Sequence, residues 1–186
     1  LDLDGRLRPF DRVPTYRTTA RIRGLDLRRL ADTGAPSSDV NGTVSLAGRG
    51  LTPETHSLDA SARLTPSRLG RQSIPEARLQ ARLRPDSLTF DGTMRLPDGR
   101  LSARGRADLR PLYPFAVDTL RMESVHLASL AGDTTASSMT ASARLRGRGR
   151  SADDLQLTAD LRVDEGRYGS IRITDGEART TLADGR

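Results

Sequence analysis

Two histidines, His56 and His126, are the only imidazoles among 186 residues, and cysteine is absent. A zinc centre needs three or four converging ligands, chiefly His and Cys, so two His with no supporting Cys disfavour one. His56 falls in the loop-like stretch Thr52–Ser57 and His126 in a short helical pattern. Both read as surface or helix-rim side chains. The acidic pairs Asp153-Asp154 and Asp164-Glu165 read as turn residues, where a carboxylate bonds nearby backbone N–H groups. Calcium would require several oxygen ligands at regular short spacing, which the sequence does not offer. There is no nucleophile elbow, phosphate-binding loop or dinucleotide fingerprint. Gly48-Arg49-Gly50 and Gly147-Arg148-Gly149 close strand patterns and do not open helices. The reading is a non-enzyme with no metal and no cofactor.

The remaining polar chemistry is guanidinium. All thirty basic residues are Arg, and the formal net charge is +6. They are spread along the chain at alternate positions, as on the wet side of a sheet. The one cluster, Arg144-Leu145-Arg146-Gly147-Arg148-Gly149-Arg150, reads as a solvated strand end, with lipid headgroup contact as the second reading. Nucleic acid is disfavoured, because aromatics are 3% of the chain and base stacking needs interleaved rings.

The elements that carry these residues announce themselves by alternation. Leu58, Ala60, Ala62 and Leu64 share one side, with Asp59, Ser61 and Arg63 on the other. The same two-residue period runs through Ala77–Leu83, Leu88–Leu96, Leu101–Leu109, Met139–Leu145 and Leu155–Val163. Only a strand keeps such sets on one side. Ala and Arg are weak strand formers, so pattern overrides propensity. Disorder would be the bland reading of 35% apolar and 29% charged residues, but disorder predicts no periodicity. No run approaches the roughly 18 apolar residues of a membrane helix, and no signal peptide opens the chain. Both ends look like cuts through a longer repetitive protein.

Short connections imply an antiparallel meander. Pro97-Asp98-Gly99-Arg100 joins two strands with Asp-Gly turn chemistry, and Ser151–Asp154 and Asp164-Glu165-Gly166 punctuate later ones. Two stretches break the alternation, 25–31 and 125–131, and are expected to be short helices, with Gly34 and Gly132 following. They lie about a hundred residues apart, which prompts a search for repeats. Ile22, Leu25, Leu27, Leu30 and Ala31 match Met122, Val125, Leu127, Leu130 and Ala131. After a one-residue slip, Leu46, Gly48 and Gly50 match Leu145, Gly147 and Gly149, and Leu58, Ala60 and Leu64 match Leu157, Ala159 and Val163. The organisation read from this is a tail of one repeat (1–12), a complete repeat (13–112) and a partial second repeat (113–186), all in one continuous sheet.

The strand-then-Gly-x-Gly endings of Thr43–Gly50 and Ala143–Gly149, the preceding Leu25–Ala31 and the hairpin from Ser87 to Leu109 resemble AsmA-like and TamB-like proteins. The resemblance covers essentially the whole chain but is one of style, since no single motif is diagnostic. It implies a mainly β fold, an elongated, curved antiparallel sheet (a β-taco with an open groove) with one short helix per ~100-residue repeat. It also implies a periplasmic location in a diderm bacterium, with an inner-membrane anchor outside this segment. The implied partners are phospholipid acyl chains and an outer-membrane assembly-family barrel protein, with no nucleic acid. The implied role is phospholipid transport between membranes, or support of outer-membrane protein assembly. Leu79, Leu83, Phe90, Met94, Leu96, Leu145, Leu157 and Leu161 are the expected lining of the groove. Plain core packing is the alternative for these eight. The rival functional class is a structural or adhesin-like β-protein of the cell surface, which would show repeats near 20 to 30 residues. An outer-membrane barrel would need aromatic girdles, and three Tyr and three Phe are too few.

Overall fold

The computed structural model describes residues 1–9, 12–29, 37–50, 52, 55–70, 72–126, 137–149 and 154–183. Over the described residues the chain is mainly β, an open antiparallel sheet of 13 strands with almost no helix, as the alternation requires. It divides into two compact units: 1–85 with 94–97, and 86–93 with 98–186.

In the first unit β1 (Asp2–Arg8), β2 (Thr15–Leu25), β3 (Ser38–Arg49), β4 (Ser57–Leu64) and β7 (Glu76–Arg84) pair in that order. The short strands β5 (Ser67–Leu69) and β6 (Gln72–Ile74) branch from the start of β3. In the second unit β9 (Gly99–Asp108), β10 (Phe115–Val125), β11 (Ser137–Arg148), β12 (Gln156–Tyr168) and β13 (Ile171–Leu182) pair in sequence. The strand β8 (Ser87–Leu96) is shared, with its first residues in the second unit and Met94–Leu96 in the first. β8 is entered through Pro85-Asp86 and left through Pro97-Asp98. Proline fixes φ for the first turn position. Gly99 is not a turn residue but already opens β9, where a Cβ would lie 2.4 Å from the Glu123 carbonyl oxygen.

Three local expectations change. The helix expected over 25–31 shrinks to one 3-10 turn, Leu27–Arg29, while Leu25 ends β2. Asp26 is the reason. Its carboxylate accepts the N–H of Arg28 and of Ser38, each at 3.2 Å, and this side-chain turn competes with helix propagation. At 125–131, Val125 is the last residue of β10, fully buried and paired with Met139. Residues 127–131 lie outside the described residues. Asp164-Glu165-Gly166 is not a turn but a bulge inside β12: the ladder slips between Thr140/Glu165 and Ala141/Val163. The turn itself comes at Gly169-Ser170, where Gly169 takes φ +57°.

The two units share one device. In β2 the ladder slips between Ile22 and Leu25, and in β10 between Met122 and Val125. In each case one residue of the bulge is left-handed, Gly24 at φ +62° and Ser124 at φ +53°. The N–H of each donates to a side chain of the neighbouring strand, Gly24 to Asn41 Oδ1 at 2.8 Å and Ser124 to Thr140 Oγ1 at 3.1 Å. A bulge with a left-handed first residue adds one residue and restores the alternation beyond it, so Leu25 and Val125 return to the apolar side. β10 carries a further slip, between Val117 and Leu120, that β2 lacks.

Candidate functional site

Cross-strand partners in an antiparallel ladder share a side of the sheet, so the register sorts the side chains of the paired strands into two sides. In the first unit one side carries Leu3, Gly5 and Leu7; Tyr16, Thr18, Ala20 and Ile22; Gly42, Val44, Leu46 and Gly48; Leu58, Ala60, Ala62 and Leu64; and Ala77, Leu79, Ala81 and Leu83. In the second unit the equivalent side carries Leu101, Ala103, Gly105 and Ala107; Phe115, Val117, Leu120 and Met122; Met139, Ala141, Ala143, Leu145 and Gly147; Leu157, Ala159, Leu161 and Val163; and Gly176, Ala178, Thr180 and Leu182. No charged residue stands on either set.

This side is thinly covered. Among the described residues the buried hydrophobic side chains are Ile74, Leu96, Val125, Ala141, Ala143 and Val163. Most of the rest is half-buried. Of the expected lining, Leu96 is 6% exposed and belongs to a core, whereas Leu79 is 46% exposed although β4 runs beside it. Leu83 stands opposite Leu58, Leu145 between Val117 and Ala159, Leu157 between Gly147 and Leu182, and Leu161 between Ala143 and Ala178, all half-buried. Phe90 and Met94 are half-buried on β8. Leu79, Leu83, Met94 and Leu96 thus fall in the first unit, and Phe90, Leu145, Leu157 and Leu161 in the second.

The sequence reading placed Phe90 on this side but missed Tyr16 and Phe115, and with them the reason for the first glycine of each Gly-x-Gly. Tyr16 pairs with Gly48, and a Cβ on Gly48 would stand 2.2 Å from the Tyr16 ring. Phe115 pairs with Gly147, where a Cβ would come within 2.6 Å of the ring. Phe90 lies likewise over Gly105, 2.7 Å from the hypothetical Cβ. Each glycine lets a ring lie down across its backbone, so aromatic surface covers a strand position that has no side chain of its own. The signal was there to read: the aromatic precedes its glycine by the same number of residues in both repeats. The second glycine has another task. Gly50 adopts φ +74° and donates its N–H to the Pro14 carbonyl at 2.8 Å, closing the end of β3 onto the start of β2.

His56 stacks on Tyr16, with centroids 6.5 Å apart and planes 27° apart, and His126 is exposed just after β10. No group of three potential metal ligands exists among the described residues. No described helix is long and apolar enough to cross a membrane.

The opposite side is ionic. Asp59 receives Arg82 directly across the ladder at 3.0 Å and Arg84 at 3.2 Å. Asp91 meets Arg104 at 2.5 Å, Asp160 meets Arg179 at 2.5 Å, and Glu76 meets Arg78 at 2.8 Å. These guanidinium hydrogen bonds hold the carboxyls of Asp59 and Glu76 below their ordinary range. The side-chain and backbone hydrogen bonds from Arg110 lower Asp108 to about 2. Two clefts open on this polar side of the second unit, one of about 480 Å³ beside Glu165, Arg167 and Arg172 and one of about 690 Å³ over the middle of β10–β13. Chemically, the site is a pair of surfaces, one without charge and one rich in guanidinium.

No protein-family model, no curated protein and no solved structure matches the chain.

Proposed function

We propose that this chain is a non-catalytic segment of a periplasm-spanning protein similar to the AsmA and TamB type. In this reading its uncharged side shields lipid acyl chains during phospholipid transport between membranes, or in support of outer-membrane protein assembly. The observation that carries the proposal is the uncharged side itself, unbroken over the paired strands of each unit and left half-open at positions such as Leu79. Acyl chains need no directional partner, and each methylene taken out of water contributes about 0.8 kcal/mol. Ten methylenes laid on the sheet with one side still wet would gain roughly 4 kcal/mol. A module of about 100 residues, carrying matched bulges at Gly24 and Ser124, also favours this reading over an adhesin-like solenoid of short period.

Leu79→Asp is the informative test, because a carboxylate at an open position leaves the fold standing. Leu96→Arg would break a core instead and mimic loss of function. Photo-crosslinking to a diazirine-bearing fatty acid is expected to fall at least tenfold in Leu79→Asp, since a desolvated carboxylate under an acyl chain costs about 2 kcal/mol or more. A folded Leu79→Asp protein that captures the probe as wild type does would overturn the proposal.

A further inference from the structure

We infer that the 690 Å³ cleft on the polar side of β10–β13 is a binding site for a phosphate ester. It lies on the opposite side of the sheet from the acyl-bearing surface and does not rest on that reading.

The internal repeat acts as a control for what the fold itself requires. In the first unit the central polar row runs Thr19, Ser45, Ser61 and Gln80, all uncharged, with Thr19 and Ser45 hydroxyls 3.3 Å apart. The same row of the second unit carries Arg144, Asp160 and Arg179 on β11, β12 and β13. The strands, their order and their apolar sides are alike, so packing does not demand these charges. At the head of the row, β10 carries the extra slip between Val117 and Leu120, which brings Asp118 and Thr119 to the cleft wall. Bulges of this kind re-aim side chains next to functional sites.

The ion pairs leave a specific remainder. Asp160 is engaged by Arg179 at 2.5 Å, and Glu177 by Arg162 at 3.5 Å. Arg144, although opposite Asp160 in the register, forms no ion pair with a described residue, and neither does Arg121 on the adjacent strand. Asp118 is the cleft's remaining carboxylate without an ion pair to a described residue. Two free guanidinium groups against one free carboxylate leave a single positive charge to balance, beside the hydroxyls of Thr119 and Ser142. Planar guanidinium forks lining one cleft, with hydroxyl donors beside them, suit a tetrahedral oxyanion, whose several oxygens can be bound at once. A planar carboxylate has too few oxygens to use them all. A singly charged phosphodiester, or the hydrogen-phosphate form of a monoester, fits both the charge and the shape.

The test uses two probes, glycerol 3-phosphate followed by phosphorus NMR line broadening, and phosphatidylglycerol vesicles followed by flotation. Three variants accompany the wild type. Arg144→Ser installs the residue of the equivalent row in the first unit, Arg121→Gln removes the second free cation, and Arg63→Gln is a first-unit control. Wild type should bind one or both probes. Arg144→Ser and Arg121→Gln should each weaken binding roughly tenfold or more, the scale of a lost charge-assisted hydrogen bond, with Arg63→Gln within about twofold. Binding of the soluble ester identifies a free ligand, and binding of vesicles alone identifies a headgroup at a membrane surface. The inference falls if wild type binds neither probe, if Arg144→Ser binds as wild type does, or if acetate competes as well as phosphate. Unchanged circular dichroism of Arg144→Ser guards against a folding artefact.

Discussion

The ring lying over Gly48 can be tested by asking what a single methyl group would do there. A Cβ at that position would stand 2.2 Å from Tyr16 Cζ and 2.3 Å from its hydroxyl oxygen, and its three nearest neighbours are all atoms of the Tyr16 side chain. Gly48→Ala must therefore push the ring away from the strand, because the ring is the nearest obstruction. Overpacking of this kind costs about 1–3 kcal/mol, and the flexible end of a tyrosine places the value near the lower end, about 1.5 kcal/mol. Against this, glycine inside a strand is about 0.5–1 kcal/mol worse than alanine. The expected net effect in wild type is a loss of about 0.5–1 kcal/mol. With Tyr16→Ala already present the obstruction is gone, and Gly48→Ala should stabilise by about 0.5–1 kcal/mol. The two changes should thus couple by about 1.5 kcal/mol in a double-mutant cycle. Urea unfolding followed by circular dichroism measures all four proteins without relying on tyrosine emission. Strictly additive effects would refute the argument, since they would mean that ring and glycine do not share the same space. Gly147 is a poorer choice, because the Gln156 carbonyl oxygen, at 2.6 Å, also blocks a Cβ there.

Two other outcomes follow from the same geometry. At the left-handed bulge, Gly24→Ser imitates Ser124 of the second unit and should cost about 1 kcal/mol, whereas Gly24→Val should cost about 2 kcal/mol or more, because β-branched residues avoid positive φ; equal costs in urea titrations would contradict this. The carboxyls of Asp26, Asp59, Glu76 and Asp108 titrate below their ordinary values in the folded chain, each chiefly through an arginine hydrogen bond. Depressed folded values mean that this stabilisation is complete above the unfolded range and fades as pH falls from about 4.5 toward about 2. The melting temperature should therefore hold from about pH 7 to 5 and decline below about 4, by less in high salt because the pairs are exposed. A flat profile down to about pH 2.5 would disagree.

Much of the architecture could be read from residue order because strand alternation is a two-residue code that burial enforces directly. Leu58, Ala60, Ala62 and Leu64 were legible as one side, and the ladder with β3 and β7 adds only the partners. The code fails where the backbone inserts a residue. Asp164-Glu165-Gly166 looks like a turn because acidic and glycine residues favour both turns and bulges, and composition cannot separate them. Leu25 to Leu30 looks helical because a bulge at Arg23-Gly24 interrupts the two-residue period at the same spot where Asp26 makes its own short turn. The expected lining was legible in part. Its side of the sheet follows from alternation, but the difference between buried Leu96 and open Leu79 depends on neighbours far away in sequence. The cleft over Arg121 and Arg144 was invisible as a site, since its meaning lies in which arginines are left over after pairing.

The bulges at Gly24 and Ser124 have a consequence for how such a chain can lengthen. Each shifts the odd–even parity of the strand, so residues on its two flanks belong to opposite parities in the sequence yet point the same way in space. A duplicated segment can be spliced in without turning its neighbours inside out only if it brings its own shift and leaves parity balanced. The unit that can be copied is therefore the hairpin together with its bulge, and not the hairpin alone.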